Sequence, residues 1–165
     1  MKKVLSISLI LVVLTAFVIS CQDFGFSRII DYSGEDLIEI GWTGIDLIEW
    51  SLDLYDPDST VISKMITITG DPESPSKIEW KNFDFEKAAQ EVEEEWDPGL
   101  MIIIKSGSAT MNAQSKTKNF DLTYEIEWEG YEYPGTFHIT GSLADSGLAS
   151  LKVNGRKVDS FIYEP

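Results

Sequence analysis

Apolar and polar side chains alternate with a period of two along most of the chain after residue 35, in runs bounded by Gly, Pro, Asn and Asp. That is the pattern of strands with one face in a core and the other in water. The clearest run sets Phe120, Leu122, Tyr124, Ile126 and Trp128 against Asp121, Thr123, Glu125, Glu127 and Glu129. Its partner at 135–143 sets Phe137, Ile139 and Leu143 against His138, Thr140 and Ser142. Asp145-Ser146-Gly147 then turns into a strand at 148–153, and Asn154-Gly155 makes a two-residue hairpin to 156–163. Asn-Gly favours a type I′ turn because both central residues need a positive φ.

The first half reads in the same way. Ile38, Ile40 and Trp42 share one face of 36–42, Thr43-Gly44 turns the chain, and Ile48, Trp50, Leu52 and Leu54 form the return. The tetrapeptide Asp-Leu-Ile-Glu at 36–39 recurs at 46–49, as an echo across that hairpin. Asp56-Pro57-Asp58 leads into a strand at 60–70, and Asp71-Pro72-Glu73-Ser74-Pro75 into one at 76–82. The continuous apolar run Leu100–Ile104 suits a strand covered on both faces, while the polar stretch from Ser106 to Asn119 reads as a ragged strand or a loop. One segment departs from the β pattern. Phe85, Ala89, Val92 and Trp96 fall at spacings of four, three and four, with Glu91, Glu93, Glu94 and Glu95 opposite. This predicts an amphipathic helix over 84–96, capped by Asp84 and ended by Asp97-Pro98-Gly99.

The expected fold is therefore mainly β: an antiparallel meander of about eight or nine strands with one amphipathic α-helix in the middle. Short sequential connections favour a barrel-like closure or a twisted sheet with the helix across one side, and a sandwich is the rival. One domain, residues 36–165, is expected.

The N-terminus is of another kind. Met1, Lys2 and Lys3 precede an apolar run from Val4 to Ile19, and Val18-Ile19-Ser20-Cys21 closes it with the only cysteine of the chain. At 1.5 Å per residue this run reaches roughly 24 Å, short of the roughly 30 Å hydrocarbon core of a bilayer. A charged start, an apolar run and small residues at its end make a signal peptide. The last four residues resemble the lipobox of bacterial lipoproteins. The resemblance implies cleavage after residue 20, a diacylglycerol on the Cys21 sulfur, and residues 21–35 as lipidated cysteine and tether. Each buried CH₂ is worth about 0.8 kcal/mol, so several acyl chains anchor the protein to the membrane permanently. Gln22, where an aspartate favours the inner membrane in enterobacterial lipoproteins, points to the outer membrane, on its periplasmic or surface face.

Charge narrows the partners. The chain has 13 basic and 28 acidic residues; losing Lys2 and Lys3 with the signal leaves 11 against 28, a formal charge of −17. Nucleic acid is excluded as a partner, because phosphate binding needs clustered Lys and Arg, and the folded domain has no affinity for anionic headgroups. Lipidation of Cys21 leaves no thiol, which removes disulfides, thiolate metal sites and cysteine nucleophiles.

Little else points to catalysis. His138 is the only histidine and sits on the polar side of its strand, where it reads as a solvent-facing residue; general acid–base work most often uses histidine, and zinc sites usually need two or more. No Gly-x-Ser-x-Gly elbow is present. The turns Asp56-Pro57-Asp58-Ser59 and Asp71-Pro72-Glu73-Ser74 lack the ligand spacing of an EF-hand and read as ordinary type I turns. No cofactor or metal is expected. The remaining oddity is aromatic: Trp42, Trp50 and Trp80 are candidates to line a cavity, and Trp128, Tyr131 and Tyr133 to form an exposed rim for a ligand or partner. The sequence thus predicts a non-enzymatic binding, interaction or structural lipoprotein of the bacterial cell envelope, docking an envelope protein. The alternative is a carrier or sensor of a small hydrophobic or glycan ligand in a β-barrel cavity.

Overall fold

A computed structural model describes residues 32–112, 116–129, 132–144 and 146–162. Cys21 and Tyr131 lie outside the described residues. The chain runs α1 (Gly34–Asp53), a 3-10 turn (Ile62–Lys64), β1 (Ile66–Asp71), β2 (Ser74–Asp84), α2 (Phe85–Glu91), β3 (Met101–Asn112), β4 (Thr117–Glu127), β5 (Gly135–Ala144), β6 (Leu148–Val153) and β7 (Arg156–Ile162). The seven strands form one antiparallel sheet in sequence order, with β1 and β7 at its edges. The mainly β antiparallel meander is as expected. The count of eight or nine strands is not: among the described residues there are seven, and their sheet neither closes into a barrel nor divides into a sandwich.

The strand count falls because the expected hairpin over 36–54 lies within a 20-residue helix, Gly34–Asp53, and its C-cap Leu54. Leu37, Ile40, Gly41, Gly44, Ile45, Ile48 and Ser51 are buried, which is the i, i+3, i+4, i+7 spacing of a helical face. A period-two reading also fits, because apolar residues occur at so many of these positions. The start of the helix decides it. The Ser33 hydroxyl accepts from the Asp36 N–H at 3.2 Å, and an Asp36 carboxylate oxygen accepts from the Ser33 N–H at 2.5 Å. This capping box satisfies orphan N–H groups of the first turn. Most of a helix's stability in a protein comes from packing its apolar face; burying Leu37, Ile40, Ile45, Leu47 and Ile48 adds about 1.5–3 kcal/mol per side chain as an upper range.

Gly44 is not a turn. A Cβ on Gly41 would lie 2.0 Å from Leu151 Cδ2, and one on Gly44 would lie 2.3 Å from Ile139 Cδ1 and 2.9 Å from Tyr124 Cε1. The two glycines let the helix backbone settle directly onto β4, β5 and β6. From there α1 crosses the sheet towards β2, where the Trp80 indole N–H donates to Ser51 Oγ at 2.9 Å and Ser51 Oγ–H donates to the Ile48 carbonyl at 2.8 Å. One inward row of the register, Trp80, Gly107, Leu122, Ile139 and Val153, lies beneath it. The space a barrel would have enclosed is filled by this helix.

The second helix is shorter than expected. It begins at Phe85 behind an Asp84 cap whose carboxylate accepts from the Lys87 N–H at 3.2 Å, but it ends at Glu91 instead of Trp96. Glu93 takes φ +60°; its N–H donates to the Gln90 carbonyl at 3.4 Å and the Glu94 N–H to Ala89 at 2.9 Å. These two bonds around a left-handed residue are a Schellman ending. The polar stretch 106–119 contains the end of β3, which runs to Asn112, and the start of β4. Asn154 and Gly155 both have positive φ (+49° and +78°), as the type I′ hairpin requires.

Candidate functional site

Most of the sheet's outer face is polar and wet. Lys77 pairs with Glu79 at 2.9 Å, Lys105 pairs with Glu125, and His138 Nε2 lies 2.9 Å from Asp121 Oδ1, both side chains exposed. The two acidic turns use their aspartates internally: Asp56 Oδ1 accepts from the Asp58 N–H at 2.8 Å and Asp71 Oδ1 from the Glu73 N–H at 3.0 Å. Among the described residues no three His, Cys, Asp or Glu side chains form a group able to hold a metal ion.

The aromatic candidates separate. Trp80 is buried and hydrogen-bonded in the core, while Trp42 and Trp50 stand on α1, 37% and 48% exposed, so the three do not share an interior cavity. Trp128 is 44% exposed. Tyr133 is not on the rim. It is buried, its hydroxyl donates to Asp36 Oδ1 at 3.0 Å, and its ring meets Tyr32 edge-on at 5.9 Å. Burial first, then the bond to Asp36 and its charge, push the Tyr133 phenol up to about 12. The Ser33 side-chain and main-chain bonds, aided by Tyr133, hold the Asp36 carboxyl below its ordinary value. This cluster is structural: it fastens the start of α1 to the sheet.

Among the described residues, two of the clefts beside α1 matter for binding. One lies between Ile48 and Leu52 of the helix and Pro75, Ile78 and Met111 at the turn end of the sheet, with a volume of about 170 Å³. Its lining is mixed: Glu73, Ser74 and Thr110 join the apolar side chains, and Lys118 on its wall pairs with Glu49 of the helix at 3.6 Å. Its volume is well below the roughly 300 Å³ at which small-ligand sites begin. The other is about 310 Å³ and opens where α1 ends against α2.

This larger cleft is built by chain reversals on both sides. After Asp53 the helix stops at Leu54, whose N–H returns to the Trp50 carbonyl at 3.2 Å. Ser59 Oγ accepts from the Val61 and Ile62 N–H groups, both at 3.2 Å, and donates to Glu91 Oε2 at 3.0 Å, tying the 3-10 turn to the end of α2. The Schellman ending of α2 then turns Trp96 back over Phe85, with ring centres 6.0 Å apart and planes 22° from parallel. The Trp96 indole N–H donates to the Leu100 carbonyl at 2.7 Å. Trp96 is thereby fixed on one face and one edge. Trp50 supplies a second indole, Leu54, Phe85 and Ala89 an apolar lining, and Asp53, Glu94 and Glu95 three carboxylates.

Of these lining residues only Trp50 was singled out by the sequence as a cavity candidate. Trp96 and the glutamates read there as two faces of one helix. The signal that separates them is the run Glu93-Glu94-Glu95, which opposes the macrodipole of any helix it ends. No family model, curated protein or solved structure matches the chain.

Proposed function

We propose that the protein is a lipid-anchored binding module of the bacterial cell envelope, tethered to the outer membrane through Cys21, which presents the Trp50–Trp96 cleft to a ligand or partner and performs no catalytic step. The lipobox resemblance at 18–21 supports the anchor. No helix among the described residues is long and apolar enough to cross a membrane.

One observation carries the binding reading: Trp50, half-exposed, faces a cleft already backed by an immobilised Trp96, beside a core that is otherwise filled. Exposed aromatics next to a preformed concavity are the usual material of recognition sites. The interior-cavity version of a carrier finds less support, because α1 packs directly on the face of the sheet through Gly41, Gly44 and Ser51.

Two experiments test the reading. Metabolic labelling with a fatty acid should mark the wild-type chain and leave Cys21→Ala unlabelled and released from membranes; a Cys21→Ala chain that stays membrane-bound rules the lipid anchor out. Intrinsic fluorescence of the full chain should respond saturably to a ligand panel in wild type and in Trp42→Ala, and lose the response in Trp50→Ala. A response that survives Trp50→Ala removes this cleft from the function.

A further inference from the structure

The cleft also has a charge. Asp53, Glu94 and Glu95 line it, no basic residue does, and none of the three is paired with a base among the described residues. Some acids elsewhere in this fold do hold cations: Glu49 holds Lys118, Glu79 holds Lys77, Asp84 holds Lys87 and Glu125 holds Lys105. A concavity with two indole walls and an uncompensated triad of carboxylates attracts a cation, through the π-faces at short range and through the carboxylates at longer range.

Resting on the binding role proposed for this cleft, we infer that its ligand is a quaternary ammonium group, of the kind carried by choline and by phosphocholine headgroups. The apolar lining selects among cations. Leu54, Phe85 and Ala89 contribute no side-chain acceptor, and Phe85 and Ala89 are fully buried. A primary ammonium entering the cleft finds acceptors for its three N–H groups only at the carboxylates or in water, and none along this apolar lining. A trimethylammonium has no N–H to satisfy, presents methyl groups to the indoles, and keeps its charge near the carboxylates at the mouth. A divalent metal is disfavoured, since the three acids do not converge into a coordinating group. Trp96 is held in place before any ligand arrives, by Phe85 and by the bond to Leu100, so little ordering cost falls on binding.

Isothermal titration of the purified full chain in a non-ionic detergent, at constant ionic strength, tests this with tetramethylammonium, choline, the neutral isostere 3,3-dimethylbutan-1-ol and lysine methyl ester. Tetramethylammonium and choline should bind saturably, and the isostere about tenfold more weakly. Asp53→Asn, Glu94→Gln and Glu95→Gln together should weaken choline about tenfold and leave the isostere unchanged, while Trp50→Ala should weaken both. These substitutions fall on exposed side chains, and an unchanged thermal midpoint shows that folding is intact. Equal affinity for choline and the isostere overturns the cationic ligand and leaves the cleft as a binding site. No saturable binding of any probe overturns both. Tighter binding of lysine methyl ester overturns the quaternary ligand in favour of a lysine-bearing partner. Vesicles of phosphatidylcholine against phosphatidylglycerol separate the sources: binding to the former assigns a lipid headgroup, and binding of free choline alone assigns a soluble one.

Discussion

The Tyr124 hydroxyl, on β4, donates to the main-chain carbonyl of Ile40, in α1, at 2.7 Å, with both residues fully buried. The bond lies beside Gly44, whose missing side chain makes room for the Tyr124 ring. Tyr124→Phe keeps the ring and removes the bond. The expected loss is about 0.5–1.5 kcal/mol, read as a shift in denaturant midpoint with no change in slope. A loss beyond that range would mean that the hydroxyl also fixes the ring's position on Phe137, which it meets at 5.6 Å.

The glycines of α1 give a sharper test, because two principles oppose each other there. Helix propensity alone predicts that alanine in place of glycine stabilises an interior helical position by about 1 kcal/mol. Overpacking predicts a cost of about 1–3 kcal/mol. At Gly41 the new methyl meets only the flexible end of Leu151; at Gly44 it meets Ile139 and also the ring of Tyr124, held by its hydrogen bond. Gly44→Ala should therefore be the more destabilising of the two, measured by thermal or urea unfolding. A stabilised Gly44→Ala chain would mean that α1 does not lie this close to the sheet.

Ser51 is the other fastening. Its hydroxyl accepts from the buried Trp80 N–H and is itself completely buried. Ser51→Ala improves helix propensity but leaves an indole N–H without a partner, at a cost of about 1–3 kcal/mol. Net destabilisation is expected, accompanied by a change in the near-ultraviolet circular dichroism of Trp80. Stability equal to wild type would show that water reaches the indole.

These contacts also explain what could be read from the sequence and what could not. Where one face of a strand is polar, as in Phe120–Trp128, alternation identifies it without ambiguity, and the Asn154-Gly155 hairpin follows from local backbone preference. The segment 37–54 is apolar at too many positions for its period to decide. Ser33-x-x-Asp36 is the deciding signal, and it straddles the boundary between the stretch read as tether, which ends at residue 35, and the run that follows. Gly44 misled because a glycine needed for close packing looks the same as one needed for a turn. The cleft was the least legible. It joins the end of α1 to residues beyond α2, and Trp96 reaches it only through the left-handed conformation of Glu93, a residue type that gives no warning of it.

The cluster at the start of α1 predicts a loss of stability at both extremes of pH. Asp36 has a folded-state value below its ordinary 3.8, so its contribution is present above that value and lost as pH falls through the lowered one. Tyr133 goes from 10.0 to about 12 on folding, so its contribution is complete below 10.0 and lost as pH rises from there towards 12. Denaturant midpoints measured across pH should show both limbs. Asp36→Asn should flatten the acid limb, and Tyr133→Phe the alkaline one. An alkaline limb that persists in Tyr133→Phe would assign the titration to another phenol, with Tyr32 first in line, since burial and the charge of Asp36 raise its value too.

The last prediction concerns Glu93. Left-handed backbone costs a residue with a Cβ roughly 1–2 kcal/mol, a penalty glycine does not bear. With φ at +60° and the Schellman bonds in place, Glu93→Gly should stabilise the protein by about 0.5–1 kcal/mol after its extra freedom in the unfolded chain is counted. The substitution also relieves one of the charges crowded at the end of α2. If α2 instead ran on to Trp96, as the spacing Phe85, Ala89, Val92, Trp96 invites, the same glycine would sit inside a helix and destabilise it by about 1 kcal/mol. The sign of a single measured change separates the two geometries. It also bears on the binding site, because only the early ending of α2 brings Trp96 back over Phe85 and opens the cleft beside Trp50.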